Sequence, residues 1–115
     1  MQGNEYSKDI DWEQLHELSG DDHEFEQELL QIFFQDCQVQ MERLQEAWRV
    51  SDLAEVRQVA HHIKGASANV GAIALSQLAA QLEEDARNLN SAPITASLQV
   101  LSQRLEGLQR HLENP

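Results

Sequence analysis

The segment Ala60-His61-His62-Ile63-Lys64-Gly65-Ala66-Ser67 holds the residue types best able to do chemistry in this chain. Read as a helix, it places Arg57, His61, Lys64, Gly65 and Ala68 on one face. Val56, Ala60, Ile63 and Ser67 fall on another face, with the character of a core. His61 follows Ala60 directly, so its ring should emerge at the edge of that core and reach solvent. One cation lies a turn before it and another a turn after. An imidazole with a pKa near 6.5 is about three-quarters free base at pH 7. Such a group can attack an activated phosphoryl centre without a dedicated base. The product would carry about two negative charges, which Lys64 and Arg57 could offset. Gly65 is the second unusual residue, because glycine inside a helix costs about 1 kcal/mol relative to alanine. Its place one turn beyond His61 suggests close approach of a partner. Packing against a neighbouring helix is the alternative.

Other chemistries find less support. His62 lies about 100° around the helix from His61, and metal-binding pairs prefer separations of three or four. No His-Glu-x-x-His pattern and no cysteine cluster is present, so no metal site is expected. Neither a nucleophile elbow nor a glycine-rich phosphate loop appears. His16, His23 and His111 stand on polar backgrounds and read as solvated surface groups. The run Glu83-Glu84-Asp85 reads as a solvated face, apart from whichever residue faces the helix of His61.

The elements that must position His61 follow from periodicity. The chain has 115 residues, 41% of them apolar, enough for one core. Residues 1–8 form a loose polar tail in this reading, and residues 9–115 a single domain. Asp11 would cap a short helix carrying Trp12, Leu15 and Leu18 that stops at Ser19-Gly20. Asp21 or Asp22 opens a long helix, with Asp21 and Glu24 in capping-box spacing and a stripe of Phe25, Leu29, Ile32, Phe33, Leu44, Ala47 and Trp48. Asp52 starts the helix of His61, which Gly71 punctuates. A further helix turns Leu75, Leu78, Ala79, Leu82, Ala86 and Leu89 inward. The last, after Asn90-Ser91-Ala92-Pro93, carries the cleanest stripe: Ile94, Leu98, Leu101, Leu105, Leu108 and Leu112. The expected fold is all-α, an antiparallel up-down four-helix bundle with a short extra N-terminal helix.

Charge and composition bound the partners. With 8 Lys+Arg against 20 Asp+Glu, the formal net charge is −12. That argues against nucleic acid and anionic lipid, which need a basic face. No apolar run approaches the roughly 20 residues of a membrane span, and no secretory signal is visible. The single Cys37 cannot form an internal disulfide, which points to a reducing, cytoplasmic setting.

The residues His61 to Ala72 resemble the signature of histidine-containing phosphotransfer (HPt) domains: Ala-His-x-[Leu/Ile]-Lys-Gly-[Ser/Ala]-[Ser/Ala], then a glycine ten residues after the histidine. Ala60, His61, Ile63, Lys64, Gly65, Ala66, Ser67 and Gly71 match it. Leu75 to Glu83 is also similar to the family's next helix. The resemblance implies the same four-helix bundle and makes His61, through Nε2, the phosphorylated residue. It implies a phosphorelay intermediate of two-component signalling, without catalytic activity of its own. The partners would be a response-regulator receiver domain, which supplies the aspartate and Mg²⁺, and a hybrid histidine kinase. No cofactor is expected on this chain, and a monomer is expected. Lys64 and Arg57 would stabilise the phosphoryl group, while Gly65 and Ala68 would admit the partner. Glu83 stands where some members carry a glutamine bonded to the active histidine. A carboxylate there would orient the imidazole but repel the phosphoryl group. A helical interaction module that binds receiver or kinase domains without carrying phosphate is the alternative.

Overall fold

Five helices build the computed structural model, which describes residues 9–113: α1 (Trp12–Ser19), α2 (His23–Arg49), α3 (Leu53–Asn69), α4 (Ile73–Arg87) and α5 (Ile94–Glu113). The expected tail at residues 1–8 lies outside the described residues. Helices α2 to α5 run up and down in sequence order, each packed on its neighbours in the chain, and α5 closes the ring against α2. The body measures 42 × 24 × 19 Å, its long axis matching the 27 residues of α2. Among the described residues the only β pairing is an isolated bridge between Ile10 and Ala72.

The helix starts are set by aspartates. Asp11, Asp22 and Asp52 each accept from the backbone N–H three residues on, at 3.1 Å in every case. The cap of α2 is therefore Asp22, and the Asp21–Glu24 capping box does not form. Asp21 instead adopts a left-handed conformation (φ 63°) in the turn that Gly20 begins.

The core contains Leu15, Leu30, Leu44, Val56, Ile63, Leu75, Leu82, Ile94, Leu101 and Leu108, all essentially buried. Two expected inward residues of α2 face solvent instead: Phe25 is 43% exposed and Ile32 65%. Leu30, Phe33, Phe34, Cys37, Gln40 and Met41 take the inward positions. The doublets Leu29-Leu30 and Phe33-Phe34 fit two registers one residue apart. The core selects the one that also buries Cys37. In α4 the expected inward Leu89 is 73% exposed, because the helix ends at Arg87 and Leu89 turns left-handed (φ 57°). The α5 stripe packs as expected, with Leu112 partly buried at its end.

Helix α1 closes one end of the bundle. The Asp11 N–H donates to the Gly71 carbonyl at 2.7 Å, and Gln14 Nε2 to the Ala68 carbonyl at 2.8 Å. Asp9 bonds Arg104 of α5, and its carbonyl accepts from Ala74 in the first turn of α4. Gly71 is required here on two counts. Its φ is +76°, and a Cβ would lie 2.9 Å from the Asp11 carbonyl oxygen. The glycine ten residues after His61 thus joins α3 to α4 and admits the start of α1.

Two histidines expected to be solvated take part in this closure. His16 Nδ1 meets Glu26 Oε2 at 2.6 Å, and Glu26 is buried. His111 is half-buried beside Trp12, with ring centroids 5.6 Å apart, and burial pushes its pKa down. His23 is exposed at the start of α2, as expected.

Candidate functional site

The Gly71-Ala72 turn fixes which residues of α3 and α4 lie level. Ala72 stands eleven residues from both His61 and Glu83, so an antiparallel hairpin brings those two side by side. His61 Nδ1 lies 3.0 Å from Glu83 Oε2. Lys64, one turn along α3, reaches the other oxygen of the same carboxylate, with Nζ to Oε1 at 2.7 Å. Arg87, one turn along α4, places Nη2 3.3 Å from Oε2 and Nη1 2.7 Å from Glu84 Oε1. Glu83 is buried at 6% exposure, whereas the His61 side chain is 68% exposed.

These contacts fix the state of each group. The hydrogen bond from Lys64 holds the Glu83 pKa below the usual carboxylate range, against the effect of burial, and the bond from His61 adds to it. Glu83 is therefore ionised at neutral pH, and an ionised carboxylate only accepts hydrogen bonds. That assigns the proton of a neutral His61 ring to Nδ1. The Nε2 lone pair is left on the exposed side of the ring. The site is a solvent-facing nucleophilic nitrogen whose opposite edge is held by a buried anion. Two permanent cations share that anion.

The other sequence-picked residues fall as follows. Arg57 is exposed one turn before His61 and outside the Glu83 cluster. Gly65 is exposed, and a Cβ built on it meets nothing within 4 Å. The space there is open to solvent, so no neighbouring helix demands the glycine. Ala68 is exposed on the same face, its carbonyl held by Gln14. His62 turns the other way, toward α2, where Nε2 meets Asp36 Oδ2 at 2.7 Å. Ser67 of the signature is fully buried, and its Oγ has no hydrogen-bond partner among the described residues.

Arg87 is the site residue that sequence reasoning missed. Its signal was present in the Glu83-x-x-x-Arg87 spacing, the favoured order for a helical ion pair. Among the described residues no group of three His, Cys, Asp or Glu is placed to hold a metal ion.

Comparison with known proteins bears on this geometry directly. The family model described as the Hpt domain matches residues 28–111, most of the chain. The chain belongs to that family. A crystal structure of histidine-containing phosphotransfer protein B (HptB) from Pseudomonas aeruginosa PAO1 is similar to it, with a TM-score of 0.84 and 25% sequence identity over 91% of each chain. Among curated proteins none matches. The role of this Hpt domain is histidine phosphotransfer in a two-component phosphorelay. Members of the family work with receiver domains and histidine kinases. No described helix of this Hpt domain is long and apolar enough to cross a membrane.

Proposed function

We propose that His61 carries the phosphoryl group, accepting it on Nε2 from a receiver-domain aspartate and passing it to a second receiver. The observation that carries this reading is the Glu83 contact at Nδ1, which leaves Nε2 exposed with its lone pair free. His62 is the poorer candidate, because its Nε2 is engaged by Asp36. In the transfer, Nε2 attacks phosphorus in line with the leaving aspartate oxygen, and the receiver supplies the Mg²⁺ and the catalytic groups. This chain is then a carrier without autonomous catalysis and without a cofactor of its own.

Lys64 and Arg87 offset the charge of Glu83 and of the phosphoryl group, and Arg57 adds a third cation on the approach side. Local positive charge meets the acidic pocket of a receiver despite the overall −12. Gly65 and Ala68 leave the backbone of α3 open to the receiver's loops. A hybrid histidine kinase is the source of the phosphoryl group, the setting is the cytoplasm, and the carrier acts as a monomer. The test is labelling by a phosphorylated receiver. His61→Gln should abolish the acid-labile label and His62→Gln should keep most of it. The reverse pattern would move the site to His62.

A further inference from the structure

The Glu83 contact has a consequence for the phosphorylated state, given that His61 is the carrier. When Nε2 attacks, the P–N bond forms and the P–O bond to the aspartate breaks. The aspartate oxygen leaves with the electron pair as a carboxylate. No proton has to move. The neutral ring becomes a cation, with hydrogen on Nδ1 and the phosphoryl group on Nε2. In the onward step a carboxylate oxygen of the second receiver attacks phosphorus. The P–N bond breaks, Nε2 takes the electron pair, and a neutral imidazole departs. Loss of the Nδ1 proton before that step would force departure as imidazolate, a far poorer leaving group.

We propose that Glu83 is a positioning residue that keeps the proton on Nδ1 of phosphorylated His61, so that the phosphoryl group remains transferable above the pH at which an unsupported phosphohistidine would lose that proton. Three features of the site carry this. The carboxylate lies 3.0 Å from Nδ1, on the ring edge opposite to the phosphoryl-bearing nitrogen. The carboxylate is buried, so water screens its end of the contact less than it would an exposed pair. The Lys64 hydrogen bond keeps it ionised, and the Lys64 and Arg87 cations beside it balance its repulsion of the phosphoryl group. The charged groups around the ring are few. From α3 these are Lys64 and the exposed Arg57. From α4 they are Glu83 and Arg87, with Glu84 held by Arg87. From α2, Asp36 is engaged by His62. Glu83 is the one of these bonded to the ring.

The experiment labels the intact chain with phosphoramidate, which needs no docking partner, and maps the label by fragmentation. The ³¹P shift of the phosphohistidine is then followed from mildly acidic to alkaline pH. Three samples are compared: the native chain, Glu83→Gln, and the native chain unfolded in urea. An opposite charge at hydrogen-bond distance shifts a pKa by about one unit or more. The ring of the folded native chain should therefore titrate about one pH unit or more above both references, a roughly tenfold difference in protonation. Equal midpoints for the native folded and urea samples would overturn the proposal, as would equal midpoints for the native chain and a folded Glu83→Gln. Should that variant not fold, the urea comparison decides alone. A label on a residue other than His61 would overturn the carrier assignment as well. A label on His61 with an unshifted midpoint would overturn the role of Glu83 only.

Discussion

Among the described residues, two places pair an exposed histidine with a buried glutamate through Nδ1, and only one has the makings of a reactive site. His61 meets Glu83 at 3.0 Å between α3 and α4, and His16 meets Glu26 at 2.6 Å between α1 and α2. The carboxylates are almost equally buried, at 7% and 5% side-chain exposure. The surroundings differ. Glu83 is shared with Lys64 and Arg87, whereas Glu26 also accepts from the hydroxyl of Ser19, at 3.3 Å, and faces His111. The His61 ring opens onto the bare backbone at Gly65, and the His16 ring lies beside Trp12 with centroids 6.4 Å apart. Both contacts join two elements, and the one whose ring faces an aromatic neighbour acts as a clamp. The other becomes a poised nucleophile, because cations surround the anion and open space surrounds the free nitrogen.

Exchanging the two histidines is the largest test of that contrast. His61→Gln should remove the acid-labile label completely with either a receiver or phosphoramidate as donor. His16→Gln should leave labelling within about twofold while lowering the melting temperature. Label retained in the first variant and lost in the second would reverse the assignment.

Gly65 separates docking from chemistry. Gly65→Gln puts a side chain into the open space beside His61. Transfer from a receiver should fall at least about tenfold, since a misplaced contact costs of this order or more. Phosphoramidate labelling should stay near normal. Gly65→Ala should be neutral or more stable by up to about 1 kcal/mol, because alanine is the better helix former. A lower melting temperature for both variants would return Gly65 to a packing role.

The two glutamates should also differ in what their loss does. Glu26→Ala removes the acceptor of the half-exposed His16 ring, while the Ser19 hydroxyl keeps the His16 carbonyl, and should cost about 0.5–1.5 kcal/mol in denaturant unfolding. Labelling of the folded fraction should be unchanged. Glu83→Gln should slow transfer more than it destabilises, and a stability loss larger than that of Glu26→Ala would erase the distinction.

The smallest expected effects are in the pH dependence of stability. The Glu83 pKa is depressed in the folded state, so its contribution is complete above the ordinary carboxylate range and lost as pH falls through the lower folded value. The stability difference between the native chain and Glu83→Gln should therefore be flat near neutrality and shrink in acid. His111 is a base with a pKa lowered by burial, so the unfolded chain binds more protons below about pH 6.5. Stability should decline as pH falls through that range, and His111→Gln should flatten the decline. A steeper decline in the variant would contradict the burial argument.

Much of this was legible in the sequence, and the gaps have physical causes. The α5 stripe is spaced at threes and fours without doublets, so its register was unambiguous, and Leu98, Leu101, Leu105 and Leu108 are buried as read. In α2 the doublets at 29–30 and 33–34 left two faces equally apolar, and packing against the other helices decided between them. The placement of His61, Lys64 and Gly65 on one face came from helical spacing alone. The family resemblance points to Glu83, but its three donors arrive from two helices, and only the hairpin geometry brings them together. Glu26 sits in Glu24-Phe25-Glu26, where an acidic residue beside an aromatic one gives no sign of which is buried. The fold turns Phe25 outward and Glu26 inward, and the clamp to His16 follows from that inversion.

The central claim is that Glu83 holds Nδ1–H of His61 and leaves Nε2 to take the phosphoryl group. A long-range ¹H–¹⁵N spectrum of the histidine rings, recorded before and after phosphoramidate treatment, tests it most directly. The account predicts a proton on Nδ1 of His61 in both states, with phosphorus appearing on Nε2 of that residue and the His62 signals little changed. Phosphorus on His62, or on Nδ1 of His61, would contradict it.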